Sequence, residues 1–343
     1  MPYRLLRPLL FKIPAEPAHR LTLAALQTLP SSRRTALAPT LTQRVGGIAF
    51  PNPVGLAPGF DKNAVVTDAV LGLGFGFTEI GTVTPRPQAG NAHPRLFRLV
   101  EDRAVINRMG FNNDGADVVA GRLLARPASP GIVGVNIGAN KDSPDRIADY
   151  AEMTRIMAPL AQYLAINVSS PNTPGLRGLQ DEGALGALLD AVIMARGATR
   201  TPIFLKLAPD LTPSDIDGIC RIAIDRRLDA LIVSNTTVSR PPLRSRHAGE
   251  SGGLSGEPLR DMALQALRDF RKASGGQIPL IGVGGIATVD DAWARIRAGA
   301  SLVQVYSALV YEGPGLARRL VKGLADRVRS EGLGSIAEAV GSE

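Results

Sequence analysis

The residues of this chain best suited to chemistry are short polar clusters that close a series of apolar runs. Pro58-Gly59-Phe60-Asp61-Lys62-Asn63 follows the first run, and Gly81-Thr82-Val83-Thr84 ends the second. Asn136 lies in the third, and Asn167 near the end of the fourth, just ahead of Ser169-Ser170-Pro171-Asn172. Lys206 lies in the fifth, Ser234-Asn235-Thr236 follows the sixth, Gly284-Gly285 the seventh, and Tyr306-Ser307 marks the end of the eighth. Taken singly, each is a turn or a cap; all of them converging on one mouth is hard to explain as packing. Lys62 and Lys206 sit at apolar strand ends, where an unpaired ammonium is costly. Either an anionic ligand or a nearby carboxylate such as Asp61 must pair with them. Asn107, Asn136, Asn167, Asn172 and Asn235 form an amide-rich set, able to meet a planar imide or pyrimidine ring from both donor and acceptor sides, or simply to cap loops. Gly252-Gly253-Leu254-Ser255-Gly256 and Gly282-Val283-Gly284-Gly285 offer bare backbone near the last runs, as phosphate cradles or as tight turns.

Something must bring these clusters together. The apolar runs cover 54–57, 77–83, 132–137, 163–168, 203–207, 230–233, 280–283 and 302–306. They are short and continuous, as parallel strands buried on both faces should be. Helical patterns over 150–161, 184–195, 213–226, 258–272 and 289–298 separate most of them. Strand then helix, eight times, predicts an α/β fold, a (β/α)8 TIM barrel, over residues 41–343. The rival, an open doubly wound sheet, lacks a G-x-G-x-x-G opening its first helix. The long gaps 84–131 and 234–279 both begin where a strand ends, which predicts loops over the C-terminal face of the barrel.

Residues 1–40 read as a separate helical extension. The first 45 residues hold seven basic side chains (Arg4, Arg7, Lys12, Arg20, Arg33, Arg34, Arg44) and one acid, Glu16, and so carry most of the net charge of +8. Leu5, Leu6, Leu9, Leu10 and Ile13 recur at helical spacing, with Arg4, Arg7 and Lys12 largely on the other side. Pro8 inside that pattern is expected to delay the helix start. A second helix begins with Pro17 in its first turn, carries Ala18, Leu21, Ala25 and Leu29 on one face, and stops at Pro30-Ser31-Ser32. Two short basic amphipathic helices predict a membrane-surface element that meets anionic headgroups. No run of 18 apolar residues exists, so no membrane-spanning helix is expected. With 4% aromatic residues and no basic run interleaved with them, nucleic acid is not expected as a partner. The single cysteine, Cys220, excludes a disulfide framework within one chain, and His19, His93 and His247 have no metal-motif spacing, so no metal is expected.

Read as motifs, these segments resemble a known family. N-P-V-G-L-A-P-G-F-D-K-N, G-T-V-T-P-R-P-Q-A-G-N, P-R-L-F-R-L, N-R-M-G-F-N-N, G-V-N-I-G-A-N-K, I-N-V-S-S-P-N-T-P-G-L-R, F-L-K-L-A-P-D, S-N-T-T, G-G-L-S-G, I-G-V-G-G-I and V-Y-S-A look like the motifs of dihydroorotate dehydrogenases, in the family's order over roughly residues 45–312. Soluble members use a cysteine base. A serine in that loop, an N-terminal extension and its P-A-E-P-A-H-R segment resemble the membrane-associated, quinone-using class 2.

The resemblance implies FMN-dependent oxidation of (S)-dihydroorotate to orotate in pyrimidine (UMP) biosynthesis. Ser170 would take a proton from C5 while hydride passes from C6 to the flavin. It implies that Lys62, Asn107, Asn172, Asn235 and Thr236, with the backbone of Arg108, Met109, Gly110 and Phe111, hold the substrate. Pro58, Gly59, Phe60, Asp61, Lys62, Thr82, Asn136, Asn167, Lys206 and Ser234 would hold FMN, and Gly256, Gly285, Tyr306 and Ser307 its phosphate end. His19, Arg98 and Tyr306 would line a quinone tunnel, with His19 and Arg98 donating to quinone oxygens. The expected setting is a monomer at the cytoplasmic face of a bacterial inner membrane. The departures are small: Ser234 where threonine is frequent, Pro58 where alanine is frequent, and Pro8 in the first helix.

Overall fold

Every apolar run becomes a barrel strand. The structure is a computed structural model, and it describes residues 3–28, 38–126, 131–173 and 175–343. The chain opens with α1 (Tyr3–Leu10), α2 (Ala15–Thr28) and a hairpin of β1 (Gln43–Val45) and β2 (Ile48–Phe50). Next come β3 (Val54–Leu56), α3 (Thr67–Leu71) and β4 (Phe77–Val83), then a hairpin of β5 (Leu96–Leu99) and β6 (Ala104–Asn107), and α4 (Ala116–Leu124). A regular alternation follows: β7 (Ile132–Ile137), α5 (Arg146–Met157), β8 (Tyr163–Asn167), α6 (Glu182–Arg196), β9 (Ile203–Leu207), α7 (Pro213–Asp225) and β10 (Ala230–Val233). The last part holds β11 (Gly253–Gly256), α8 (Arg260–Ala273), β12 (Leu280–Val283), α9 (Val289–Arg297), β13 (Ala300–Val305), α10 (Ser307–Glu312) and α11 (Leu316–Ser330). Strands β3, β4, β7, β8, β9, β10, β12 and β13 pair in parallel in that order, and β13 returns to β3 through Val303 and Val54, closing the barrel.

Two cores hold it. Strand faces turned outward pack on the helices, while the inner faces carry Phe77, Tyr163, Phe204, Ile232 and Leu302, with Val45 and Phe50 of the hairpin against them. Glycine makes room for the rings. A Cβ on Gly55 would lie 2.3 Å from the Phe77 ring, and one on Gly134 2.1 Å from that of Tyr163. Helix starts follow local chemistry. Thr212 with Asp215 and Thr288 with Asp291 make reciprocal capping boxes for α7 and α9. Asp145 accepts from the Ala148 amide at 3.0 Å, so α5 begins four residues before the 150–161 pattern suggests.

The two long gaps are more ordered than loops. They meet as a three-stranded antiparallel sheet, with β6 between β5 and β11. The segment read as a glycine-rich turn at 252–256 is therefore largely strand β11. Its glycines answer close approach: a Cβ on Gly253 would fall 2.0 Å from Thr236 Oγ1, and one on Gly256 2.5 Å from the Arg103 carbonyl.

The extension docks by its polar groups and leaves leucines outside. Helix α1 starts at Tyr3 with Pro8 inside it, so the expected delay is absent. Proline at the sixth position forfeits one intrahelical donor, and tertiary bonds hold the helix instead. Tyr3 donates to the Val310 carbonyl at 2.7 Å and Arg7 to that of Tyr311 at 3.1 Å. Arg98 on β5 donates to the carbonyls of Leu10 and Ile13 and lies over the Phe11 ring. Glu16 on α2 takes a forked pair from Arg95, as close as 2.7 Å. Leu5, Leu9 and Leu21 remain 75%, 64% and 53% exposed. The predicted stop at Pro30-Ser31-Ser32, Leu29 and the charges Arg33 and Arg34 lie outside the described residues.

Candidate active site

The strand ends surround one cavity of about 860 Å³ that continues from the barrel mouth to the space between α1 and α2. At its barrel end are Pro58, Gly59, Phe60 and Lys62 beyond β3, Thr82 of β4, Asn167 of β8, Lys206 of β9 and Ser234 beyond β10. One side carries Asn107, Met109, Gly110, Phe111, Ser170, Asn172, Asn235 and Thr236, and another Gly256, Gly285, Tyr306 and Ser307. The outer end is apolar, lined by Leu10, Phe11, Ala18, Leu21 and Ala25, with His19 and Arg98 at the join.

Three predicted site residues stand back from this surface. Asp61 turns its buried carboxylate to the amides of Val65 and Val66 and the Thr67 hydroxyl, at 2.8–3.0 Å, and so shapes the loop that presents Lys62. Arg108 points its guanidinium at Glu250, 2.8 Å away. Asn136 lies under Thr82 and Asn167, accepting from both through Oδ1.

The amides form a chain rather than a set of loop caps. Asn167 donates to Thr82 Oγ1 at 3.0 Å, and Asn235 donates to Ser169 Oγ at 2.9 Å and to Asn167 Oδ1 at 3.3 Å. Asn172 donates to Asn107 Oδ1 at 3.3 Å, which ties the Ser170 loop to β6. Ser170 is 6% exposed, and its Oγ accepts from the Asn172 amide at 3.3 Å.

Burial sets the charges. It depresses Lys62 to about 8, with Arg95 adding repulsion and Glu16 opposing. It also lowers Lys206, which Glu79 partly offsets. His19 falls to about 4, chiefly through burial and then Lys62, so the ring is neutral at pH 7. A neutral ring that meets the Phe60 carbonyl through Nε2 at 2.8 Å must donate there. With Nε2 engaged in this way, Nδ1 of His19 is left as an acceptor. Arg98 donates to two carbonyls of the α1–α2 turn and keeps further guanidinium N–H groups for other acceptors.

Several residues that shape the site were not expected from the sequence. Glu79 is fully buried inside the barrel and accepts from Asn136 Nδ2 at 2.8 Å, Tyr163 OH at 3.1 Å and Gln304 Nε2 at 2.7 Å. An acid inside a strand predicted to be buried on both faces was the available signal. Glu79→Leu would strand three donors and leave Lys206 uncompensated. Denaturant unfolding should show a loss of ~3–5 kcal/mol; a loss under about 1 kcal/mol, the worth of an ordinary single hydrogen bond, would remove Glu79 from this role. Gln88 holds the carbonyls of Gly110 and Phe111, each at 3.1 Å. Arg295, buried behind β12, donates to the carbonyls of Arg260 and Gly284 at 2.6 and 2.9 Å. Across a trans peptide the N–H opposes the C=O. Drawing Gly284 O outward thus turns the Gly285 N–H toward the cavity. A Cβ on Gly285 would lie 2.3 Å from Arg260 Cα, so only glycine lets these two turns approach.

Comparison with known proteins agrees with this geometry. The family model for dihydroorotate dehydrogenase matches residues 40–328. The chain belongs to the dihydroorotate dehydrogenase family. Among its relatives, a dihydroorotate dehydrogenase (quinone) of Novosphingobium aromaticivorans is 74% identical over 100% of this chain and 99% of its own. One from Erythrobacter litoralis is 64% identical over the whole of both chains. A dihydroorotate dehydrogenase of Eimeria tenella, solved in complex with ferulenol, superposes with a TM-score of 0.90 at 41% identity, covering 96% of this chain and 95% of that one. Family membership and the closed barrel bear out the resemblance drawn from the motifs.

Proposed function

We propose that this enzyme oxidises (S)-dihydroorotate to orotate with FMN as cofactor and a membrane quinone as electron acceptor, within UMP biosynthesis. The observation that carries the reading is a continuous cavity, amide-lined at the barrel mouth and apolar between α1 and α2. A planar polar substrate suits one end and a lipid-soluble acceptor the other.

The residues fit a flavin mononucleotide. Gly256, Gly285 and Ser307 lie together on one side of the cavity, where their backbone N–H groups would meet a phosphate. Lys206 is 4% exposed, its ammonium donates no hydrogen bond among the described residues, and it would supply a cation to the flavin. FMN held there would supply the acceptor for the hydride that leaves C6. Ser170 removes the C5 proton. A serine is a weak base at its free pKa, so its activation depends on the dry setting that burial provides. Lys62, with its charged form disfavoured by burial, gains most from an anionic carboxylate beside it. Asn107, Asn172, Asn235 and Thr236 read the ring of the substrate from donor and acceptor sides.

No helix among the described residues is long and apolar enough to cross a membrane. The exposed leucines with Lys12 and Arg20 support peripheral attachment to anionic lipid; the cytoplasmic face of a bacterial inner membrane and a monomeric state belong to the same proposal. Purified protein should be yellow, and dihydroorotate should bleach it under anaerobic conditions. Asn107→Ala and Asn172→Ala should each weaken orotate binding by roughly tenfold, the value of one hydrogen bond, with FMN retained. Mutants that lose flavin yet bind orotate like wild type would sink the substrate assignment, and a chain that takes up no FMN on reconstitution would sink the cofactor.

A further inference from the structure

Arg177 and Asp210 lie within two of the chain's motifs, outside the cavity. Arg177 sits in the loop between β8 and α6, Asp210 in the loop after β9. One guanidinium reaches three places. Its Nε donates to the Ser169 carbonyl at 3.1 Å, its Nη1 to Asp210 Oδ2 at 2.9 Å, and its Nη2 to the Thr236 carbonyl at 3.1 Å. Asp210 completes the clamp from the other side. Its Oδ1 accepts from the hydroxyls of Thr237 and Ser239, and its Oδ2 from the Val238 amide. Gly175, left-handed at φ 70°, lets the loop turn back so that Arg177 meets a carbonyl eight residues behind it.

We infer that Arg177, neutralised by Asp210, is a positioning residue that sets the distance between Ser170 and the substrate-holding pair Asn235-Thr236. The inference rests on the reading of Ser170 as base. Ser169 is one peptide from Ser170, and Thr236 is itself a cavity residue. A planar guanidinium presents its N–H groups at fixed angles. Two carbonyls on one such plane cannot drift independently, whereas separate loop contacts would allow it. Lysine has the charge but not the fork. Asp210 adds a second constraint: it fixes the guanidinium in plane and cancels a charge that would otherwise compete with Lys62 and Lys206 for an anionic substrate. Neither residue lines the cavity, so the effect passes through geometry and not through contact with ligand.

The test uses the full-length holoenzyme. Arg177→Ala should keep FMN, reduce its flavin ~10²-fold more slowly with dihydroorotate, as roughly ångström misplacement does, and weaken orotate about tenfold through Thr236. Arg177→Lys should fall between, with the fold intact, and serves if the alanine variant does not fold. In a double-mutant cycle, Arg177→Ala added to Ser170→Ala should slow reduction little further, since a misplaced base and an absent one are equivalent. Wild-type reduction and orotate affinity in both Arg177 variants would overturn the inference, as would fully additive losses in the cycle. If Ser170→Ala reduces flavin at the wild-type rate, the base reading fails. The clamp then stands on orotate affinity alone, and unchanged affinity in Arg177→Lys overturns it.

Discussion

Replacing Ser170 with alanine is expected to leave FMN and orotate bound while slowing reduction of the flavin by dihydroorotate by ~10²–10⁴, the usual contribution of a positioned general base. The side chain is buried, and its Oγ makes one bond among the described residues, from the Asn172 amide. Alanine therefore removes one oxygen without opening the barrel or disturbing Thr82, Asn167 or Lys206. Asn172 keeps its link to Asn107 Oδ1, so the substrate amides stay in place. What changes is the one oxygen that takes the proton. No carboxylate or imidazole bonds to the hydroxyl among the described residues, which separates this site from a hydrolase triad. The loss should appear in single-turnover absorbance under anaerobic conditions, with orotate affinity measured alongside. A mutant that reduces flavin at near wild-type rate would clear Ser170 of the role and move the search to other groups on that loop.

The barrel was legible because its strands are buried on both faces. Continuous apolar runs such as 203–207 and 280–283, alternating with helical patterns, point to a parallel α/β fold, and the missing G-x-G-x-x-G turned the choice from an open sheet to a barrel. The clusters at the strand ends were legible for the same reason: polarity just past a buried strand marks one face of the barrel. The cover over that face was not. Strands β5, β6 and β11 are four residues each, β11 lies far in sequence from the β5–β6 hairpin, and all three gain strand character only from pairing with one another. Gly253 and Gly256 signalled a turn by composition, but they are there because β11 runs against Thr236 and the Arg103 carbonyl. Glu79 was missed because a lone charge in an apolar strand carries no motif, and Arg295 because it is one of four charged residues on its helix. Their partners, Asn136 and Gln304 for the first and two backbone carbonyls for the second, come together only on folding. His19 shows the limit differently. Its place at the join was expected, but which nitrogen is free depends on Phe60, a contact across the cavity.

Removing residues 1–40 should split the two half-reactions. Dihydroorotate should still bleach the flavin, because Ser170, the amides and both lysines belong to the barrel and its cover. Reoxidation by a long-chain quinone should fall on the order of 10²-fold or more, since the tethered path that holds the acceptor near the flavin is lost. The geometry gives the reason. Helices α1 and α2 supply the apolar wall from Leu10 to Ala25, and they are fixed to the barrel by Arg98, Arg95 and Phe60 through Ile13, Glu16 and His19. With polar groups committed to docking, Leu5 and Leu9 face outward, where lipid can bury them and Lys12 and Arg20 can meet anionic headgroups. Truncation also uncovers the Tyr311 ring, which Phe11 covers edge-on at 5.6 Å, so the truncated barrel can lose solubility. A surface variant avoids that: Leu5→Glu with Leu9→Glu leaves docking intact. It should cut binding to anionic liposomes and slow turnover with long-chain quinone, while a short, water-soluble quinone is reduced as before. Unchanged liposome binding in that variant, or a truncated protein that stays folded and uses long-chain quinone at full rate, would remove the extension from the path of the acceptor.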